Sequence, residues 1–119
     1  MSRAANEPWE EARFRTVDAN PRLAWQKTIT SGMACGFSIW VLAQQAGTAN
    51  AAQVHTEFHA ADNGSGGVTL SDDYQPVPKL GAAVGAWSVA IVLVDNQVQI
   101  SVTGSGTVRW VLRIETLEV

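Results

Sequence analysis

Trp87–Val119 reads W-S-V-A-I-V-L-V-D-N-Q-V-Q-I-S-V-T-G-S-G-T-V-R-W-V-L-R-I-E-T-L-E-V. Three runs of alternating character are divided by Asp95-Asn96 and by Gly104-Ser105-Gly106. Alternation with a period of two puts successive side chains on opposite faces of an extended chain, so this third of the protein reads as antiparallel β-sheet. Val89, Ile91 and Leu93 share one face. So do Val98, Ile100 and Val102, and likewise Trp110, Leu112 and Ile114. Asp95-Asn96 suits a two-residue hairpin, because Asp and Asn tolerate positive φ. The glycine-flanked Ser105 reads as a second hairpin turn.

The same pattern extends towards the N-terminus. Runs bounded by turn residues predict strands at Arg13–Val17, Leu23–Thr30, Met33–Gln45, Ala51–Ala61, Gly67–Tyr74, Ala86–Val94, Val98–Thr103 and Thr107–Glu118. Cys35, Phe37, Ile39 and Val41 form a further inward face. The breaks have physical causes. Asn20-Pro21 favours a turn and removes a backbone donor. Pro76-Val77-Pro78 cannot sit in a central strand. The run Asp62-Asn63-Gly64-Ser65-Gly66-Gly67 has loop composition. Ala43–Ala52 is rich in alanine and glutamine, yet alternation resumes on both sides, so it reads as a hairpin and not a helix. About eight antiparallel strands around one core predict an all-β, two-sheet, jelly-roll-like sandwich over residues 13–119. Residues 1–12 lack periodicity and read as an N-terminal arm. There is no internal repeat and no second domain.

Composition narrows the function classes. A chain of 119 residues can bury a real core. Charged residues are only 16% of the chain, against about a quarter in ordinary globular domains. Such a surface fits either a neutral polar exterior or one partly hidden in an assembly. The net charge is −3 and no basic cluster stands out, which argues against nucleic acid as the main partner. Val89–Val94 is far shorter than the roughly 20 apolar residues that cross a bilayer. The opening residues lack the apolar centre of a signal peptide. The expectation is a chain made in a cytoplasm, with no membrane partner. The lone Cys35 allows neither an intrachain disulfide framework nor a cysteine zinc cluster, and its apolar surroundings suit a buried small residue.

Few residues invite chemistry. On a strand, His55, Glu57 and His59 share a face, but residues i and i+4 lie roughly 13 Å apart. Both histidines therefore cannot reach one ion at bonding distances of about 2 Å, unless a site forms across a symmetry axis. Adjacent Asp72-Asp73 point apart on an extended chain. Asp62–Gly66 is similar to a calcium-loop fragment but lacks the closing bidentate glutamate. Gly104-Ser105-Gly106 has no following helix or lysine to make a phosphate loop. Five tryptophans invite a sugar-stacking platform, yet Trp25, Trp40, Trp87 and Trp110 all fall inside expected strands. No catalytic set, metal site or cofactor site emerges, so a non-enzymatic protein is expected.

The residues with surplus apolar surface are interface candidates. Trp9 is the one large apolar group of the arm; it either anchors a neighbour or folds back on its own domain. Trp40 and Leu42 lie opposite the Phe37 face, and Val92 and Val94 opposite the Ile91 face. A strand apolar on both sides is central or is covered by another subunit, so an apolar outer face around Trp40, Val92 and Val94, with Leu42, is expected to join copies of the chain.

The pattern F-R-T-V-D-A-N-P at 14–21, the strands Ser38–Gln45 and Ala51–His59, and the closing V-T-G-turn-V-R-W hairpin of Val98–Val119 together resemble small β-sandwich virion proteins of tailed bacteriophages. The resemblance spans roughly residues 14–119. It implies a virion structural module that dimerises or trimerises. A stand-alone sandwich with an arm implies a capsid decoration (cement) protein clamping the major capsid protein or other virion proteins. A tail-fibre or spike tip that binds a host receptor is the alternative, and a carbohydrate-binding module is the alternative outside the virion class. The resemblance assigns no catalytic residue.

Overall fold

The computed structural model describes residues 9–64, 67–71 and 87–119. Among these the chain is all-β, with eight strands: β1 (Trp9–Thr16), β2 (Arg22–Thr28), β3 (Ala34–Gln45), β4 (Ala51–Asp62), β5 (Val68–Leu70), β6 (Ser88–Val94), β7 (Gln97–Thr103) and β8 (Val108–Glu118). They form a five-stranded sheet, in the order β1-β8-β3-β4-β5, and a three-stranded sheet, in the order β2-β7-β6. Every pairing is antiparallel. The expected two-sheet sandwich is what forms.

The inward alternation builds the core. Cys35, Phe37, Ile39 and Val41 from β3 meet Leu112 and Ile114 from β8, and across the sandwich Ile91, Val98, Ile100 and Val102; all are buried. Val89 and Leu93 pack against the edge of this cluster. Phe37 stacks on Phe58 at 4.8 Å between ring centroids and receives the edge of Trp25 at 6.0 Å. Trp110 stacks on Phe14 and tilts against the buried Trp87. The indole N–H groups are satisfied as burial demands: Trp110 Nε1 donates to Thr16 Oγ1 and Trp87 Nε1 to Ser105 Oγ, each at 2.8 Å. Cys35 is buried, and burial pushes its thiol pKa up, which keeps it a packing group.

Three sequence expectations change. First, β1 starts at Trp9, so residues 9–12 of the expected arm are sheet: Trp9 pairs with Glu115 and Ala12 with Leu112. The reason lies in the alternation, with Ala12, Phe14 and Thr16 turned inwards and Glu11, Arg13 and Arg15 exposed. The first eight residues lie outside the described residues. Second, Gly104-Ser105-Gly106 does not close a hairpin. β7 belongs to the three-stranded sheet and β8 to the five-stranded one, so the segment is a corner between sheets. A Cβ on Gly104 would sit 2.9 Å from Val108 Cγ2 and 3.1 Å from Thr16 Oγ1, and only glycine fits there. Third, at Asp95-Asn96 the hairpin forms with positive φ at Asp95, and not at Asn96.

Elsewhere the turns behave as read. β3 and β4 make the expected hairpin, closed by Gln45 N–H to Asn50 O. Asp62 Oδ1 accepts from the amides of Gly32 and Gly64, which makes it a turn brace. Asp72-Asp73 and Pro76–Pro78 lie outside the described residues. Two polar ties link the edge strand β2 to the opposite sheet: Trp25 Nε1 donates to Glu10 at 2.8 Å, and Lys27 Nζ meets Glu118 Oε1 at 2.8 Å. The bond to Glu118, opposed by partial burial, raises the Lys27 pKa above its ordinary value.

Candidate functional site

The surplus apolar residues fall on two surfaces. Trp9, Trp40 and Leu42 project from the outside of the five-stranded sheet, while Val92 and Val94 project from the outside of the three-stranded sheet. The expectation that Trp40, Val92 and Val94 form one apolar face is therefore corrected: a whole sandwich thickness separates them. β3 and β6 are both apolar on both sides, but they belong to different sheets.

On the five-stranded side, cross-strand register aligns the side chains in rows. Arg113, Trp40 and His55 are direct register partners across β8, β3 and β4. The His55 ring lies parallel to the Trp40 ring, with centroids 4.5 Å apart and planes at 10°. The Arg113 guanidinium lies 5.8 Å from the Trp40 centroid and 4.8 Å from that of Trp9. His55 Nε2 also lies 3.3 Å from Ser38 Oγ. The result is a ridge of upright planar groups, Trp9–Arg113–Trp40–His55, held by stacking and cation–π attraction. Sequence reasoning found Trp9 and Trp40. It missed Arg113 and His55 as their partners, because side-by-side placement depends on register, which no single strand encodes.

This ridge has a chemical consequence. A sugar-binding platform needs aromatic faces open to the ligand, whereas His55 and Arg113 already lie against Trp40 and Arg113 lies over Trp9. Leu42, 55% exposed, continues the ridge beside Val111, its register partner. On the other side of Trp40 from Leu42, a shallow depression over Gly36 is lined by Ser38, Glu57, His59 and Glu115. Among the described residues no three His, Cys, Asp or Glu side chains converge on one ion position. His55, Glu57 and His59 share the outer face, as the period of two requires.

The other face is different. β7 and β2 present Gln97, Gln99, Gln26 and Thr28, joined side chain to side chain: Gln97 to Thr28 at 3.4 Å and Gln99 to Gln26 at 3.3 Å. Val92 and Val94 stand beside them at 41% and 45% exposure. Their register partners are Gln99 and Gln97.

No family model matches the sequence, and no curated protein matches it. Among solved structures, the chain superposes on part of the Acinetobacter phage vB_ApiP_P1 tailspike protein, with 98% of this chain covered, a TM-score of 0.55 and 12% identity. What the two share is a fold. The chain spans 22% of that tailspike's length. The tailspike protein of Acinetobacter baumannii phage AM24 superposes more loosely, with a TM-score of 0.46 and 10% identity over 91% of this chain and 25% of that one.

Proposed function

We propose that this chain is a non-catalytic β-sandwich module of a tailed-bacteriophage virion, of the tail-spike or tail-fibre type, and that it works by protein–protein contact. The observation that carries the reading is the superposition of nearly the whole chain on a part of one phage tailspike. The virion resemblance of the closing strands points the same way. That superposition favours the tail over the head, so a cement role on the major capsid protein gains no support from it. Half-buried Trp9 and Trp40 beside exposed Arg and Leu side chains on one sheet face suit a binding surface, because Trp and Arg dominate the energetics of protein interfaces. The His55 and Arg113 groups lying against the Trp40 ring count against the carbohydrate-binding alternative. Self-association as a dimer or trimer draws support from β6, which among the described residues is an edge strand without a single charge or proline.

Immunogold labelling of purified virions with antibody against the chain tests the proposal. Label at the tail tip is the expected result. Label over the head would restore the decoration reading, and particles without label would overturn the virion reading altogether. Light scattering of the purified chain checks the second element, with a multimer expected.

A further inference from the structure

Half of the chain's eight lysine and arginine residues stand on one patch, although its net charge is −3. Arg13, Arg15, Arg109 and Arg113 all project from the outer face of β1 and β8. Two of them are answered from within the same strand. Arg13 Nε meets Glu11 Oε2 at 2.8 Å, and Arg113 Nη2 meets Glu115 Oε1 at 3.4 Å.

The other two are not answered. Arg15 and Arg109 are direct register partners across β1 and β8, and both are exposed. Arg109 Nη2 donates to the neutral Gln44 Oε1 at 2.6 Å. No carboxylate among the described residues forms an ion pair with either. Like charges directly opposite each other weaken a strand pair, so the sheet carries a repulsion that an incoming anion would relieve.

Two apolar side chains, Leu42 and Val111, stand in the next register row, beside Arg13. Arg13, Leu42, Gln44, Arg109 and Val111 line a shallow depression of about 210 Å³, with Leu42 55% exposed. Guanidinium forks bind carboxylates in paired hydrogen bonds. The exposed leucine and valine call for an apolar side chain next to that carboxylate. Trp40 already carries His55 and Arg113 against its ring, so it does not offer a sugar a free stacking platform.

We propose that Arg15 and Arg109, with Leu42 and Val111, form a docking site for a segment of a partner protein that presents a carboxylate flanked by apolar side chains. The site rests on the chain's own geometry and stands or falls separately from the virion reading.

The test is an NMR titration of the whole chain with acetyl-Leu-Glu-Val-Glu-Leu-amide, following backbone amides and arginine Nε signals. Shifts are expected to cluster at Arg15, Arg109, Leu42 and Val111. Binding should weaken by about tenfold or more in the double variant R15Q/R109Q, and likewise when glutamine replaces glutamate in the peptide. Equal affinity for the double variant, or shifts centred elsewhere, would overturn the site. Tighter binding of polygalacturonate than of the peptide at the same residues would reassign it to an acidic glycan and overturn the protein partner. A second measurement needs no ligand: Arg15→Gln should raise the melting temperature at low ionic strength, and an unchanged or lower value would remove the repulsion on which the inference stands.

Discussion

On the outside of the five-stranded sheet, cations and aromatic rings meet across the strands: Arg113, Trp40 and His55 stand in one row with Trp9 reaching Arg113 from the next, and Arg15 faces Arg109 in another. On the outside of the three-stranded sheet, glutamines bond to one another and to Thr28, and Val92 and Val94 flank them without a charge. Both sheets turn the same kind of apolar residue inwards. The difference is confined to the side chains that the period of two sends out, so the fold constrains one face of each sheet and leaves the other free for contact. The edges follow the same division. β1 carries Glu10, Glu11, Arg13 and Arg15, and β2 carries Arg22, Lys27 and a register shift between Leu23 and Trp25. Charges and bulges of this kind discourage strand addition; among the described residues β6 and the three-residue β5 have neither, and β6 is the longer.

The most severe way to break the comparison is to remove the interior that both faces share. Trp110→Ala deletes the ring that stacks on Phe14, tilts on Trp87 and bonds to Thr16. Denaturant unfolding is expected to show a loss of about 3–5 kcal/mol, as for other buried tryptophans. Next comes the corner that joins the sheets. Gly104→Ala places a methyl group against Val108 and Thr16, and overpacking of this kind costs about 1–3 kcal/mol. Its backbone φ is not in the left-handed region, so the loss would be steric. A stability equal to the parent would show that the corner shifts freely.

The smaller effects sharpen the contrast. Arg113→Ala removes the cation between Trp9 and Trp40 and should cost about 1 kcal/mol. A double-mutant cycle with Trp40→Ala should return a coupling of the same sign. On the neutral face, Val92→Thr should change stability by no more than about 0.5 kcal/mol, while shifting any self-association towards the monomer in light scattering. The Lys27–Glu118 tie gives a pH signature. The Lys27 pKa is raised in the folded state, so its contribution is fully present below the ordinary lysine value of 10.5 and is lost as pH rises through the higher folded value. Alkaline melts of Lys27→Met should lack that component.

Facing was legible in the sequence and sheet membership was not. Alternation along β3, β7 and β8 identifies Phe37, Ile39, Ile100, Leu112 and Ile114 as interior because side-chain direction is a local property. Whether Gly104-Ser105-Gly106 folds β8 back on β7 or carries it across to the other sheet depends on what lies on either side, and the same residues serve both. For the same reason Trp40 and Val92, each the apolar back of a strand, looked like one surface. The start of β1 was within reach, since Ala12, Phe14 and Thr16 already alternate with charged residues from Glu11 onwards. The Arg15–Arg109 opposition was out of reach, because 94 residues of chain separate Thr16 from its bonded neighbour Trp110, and only register brings the two strands together.

The β1–β8 pairing also decides how the module would carry load. Trp9 lies opposite Glu115, so the beginning of the first strand and the end of the last emerge at the same end of the sheet. Tension applied between them would peel the ladder open one hydrogen bond at a time, starting at Trp9. A module wired in this way yields early under force, and it accepts a neighbouring structure at that end without lengthening the path of the chain.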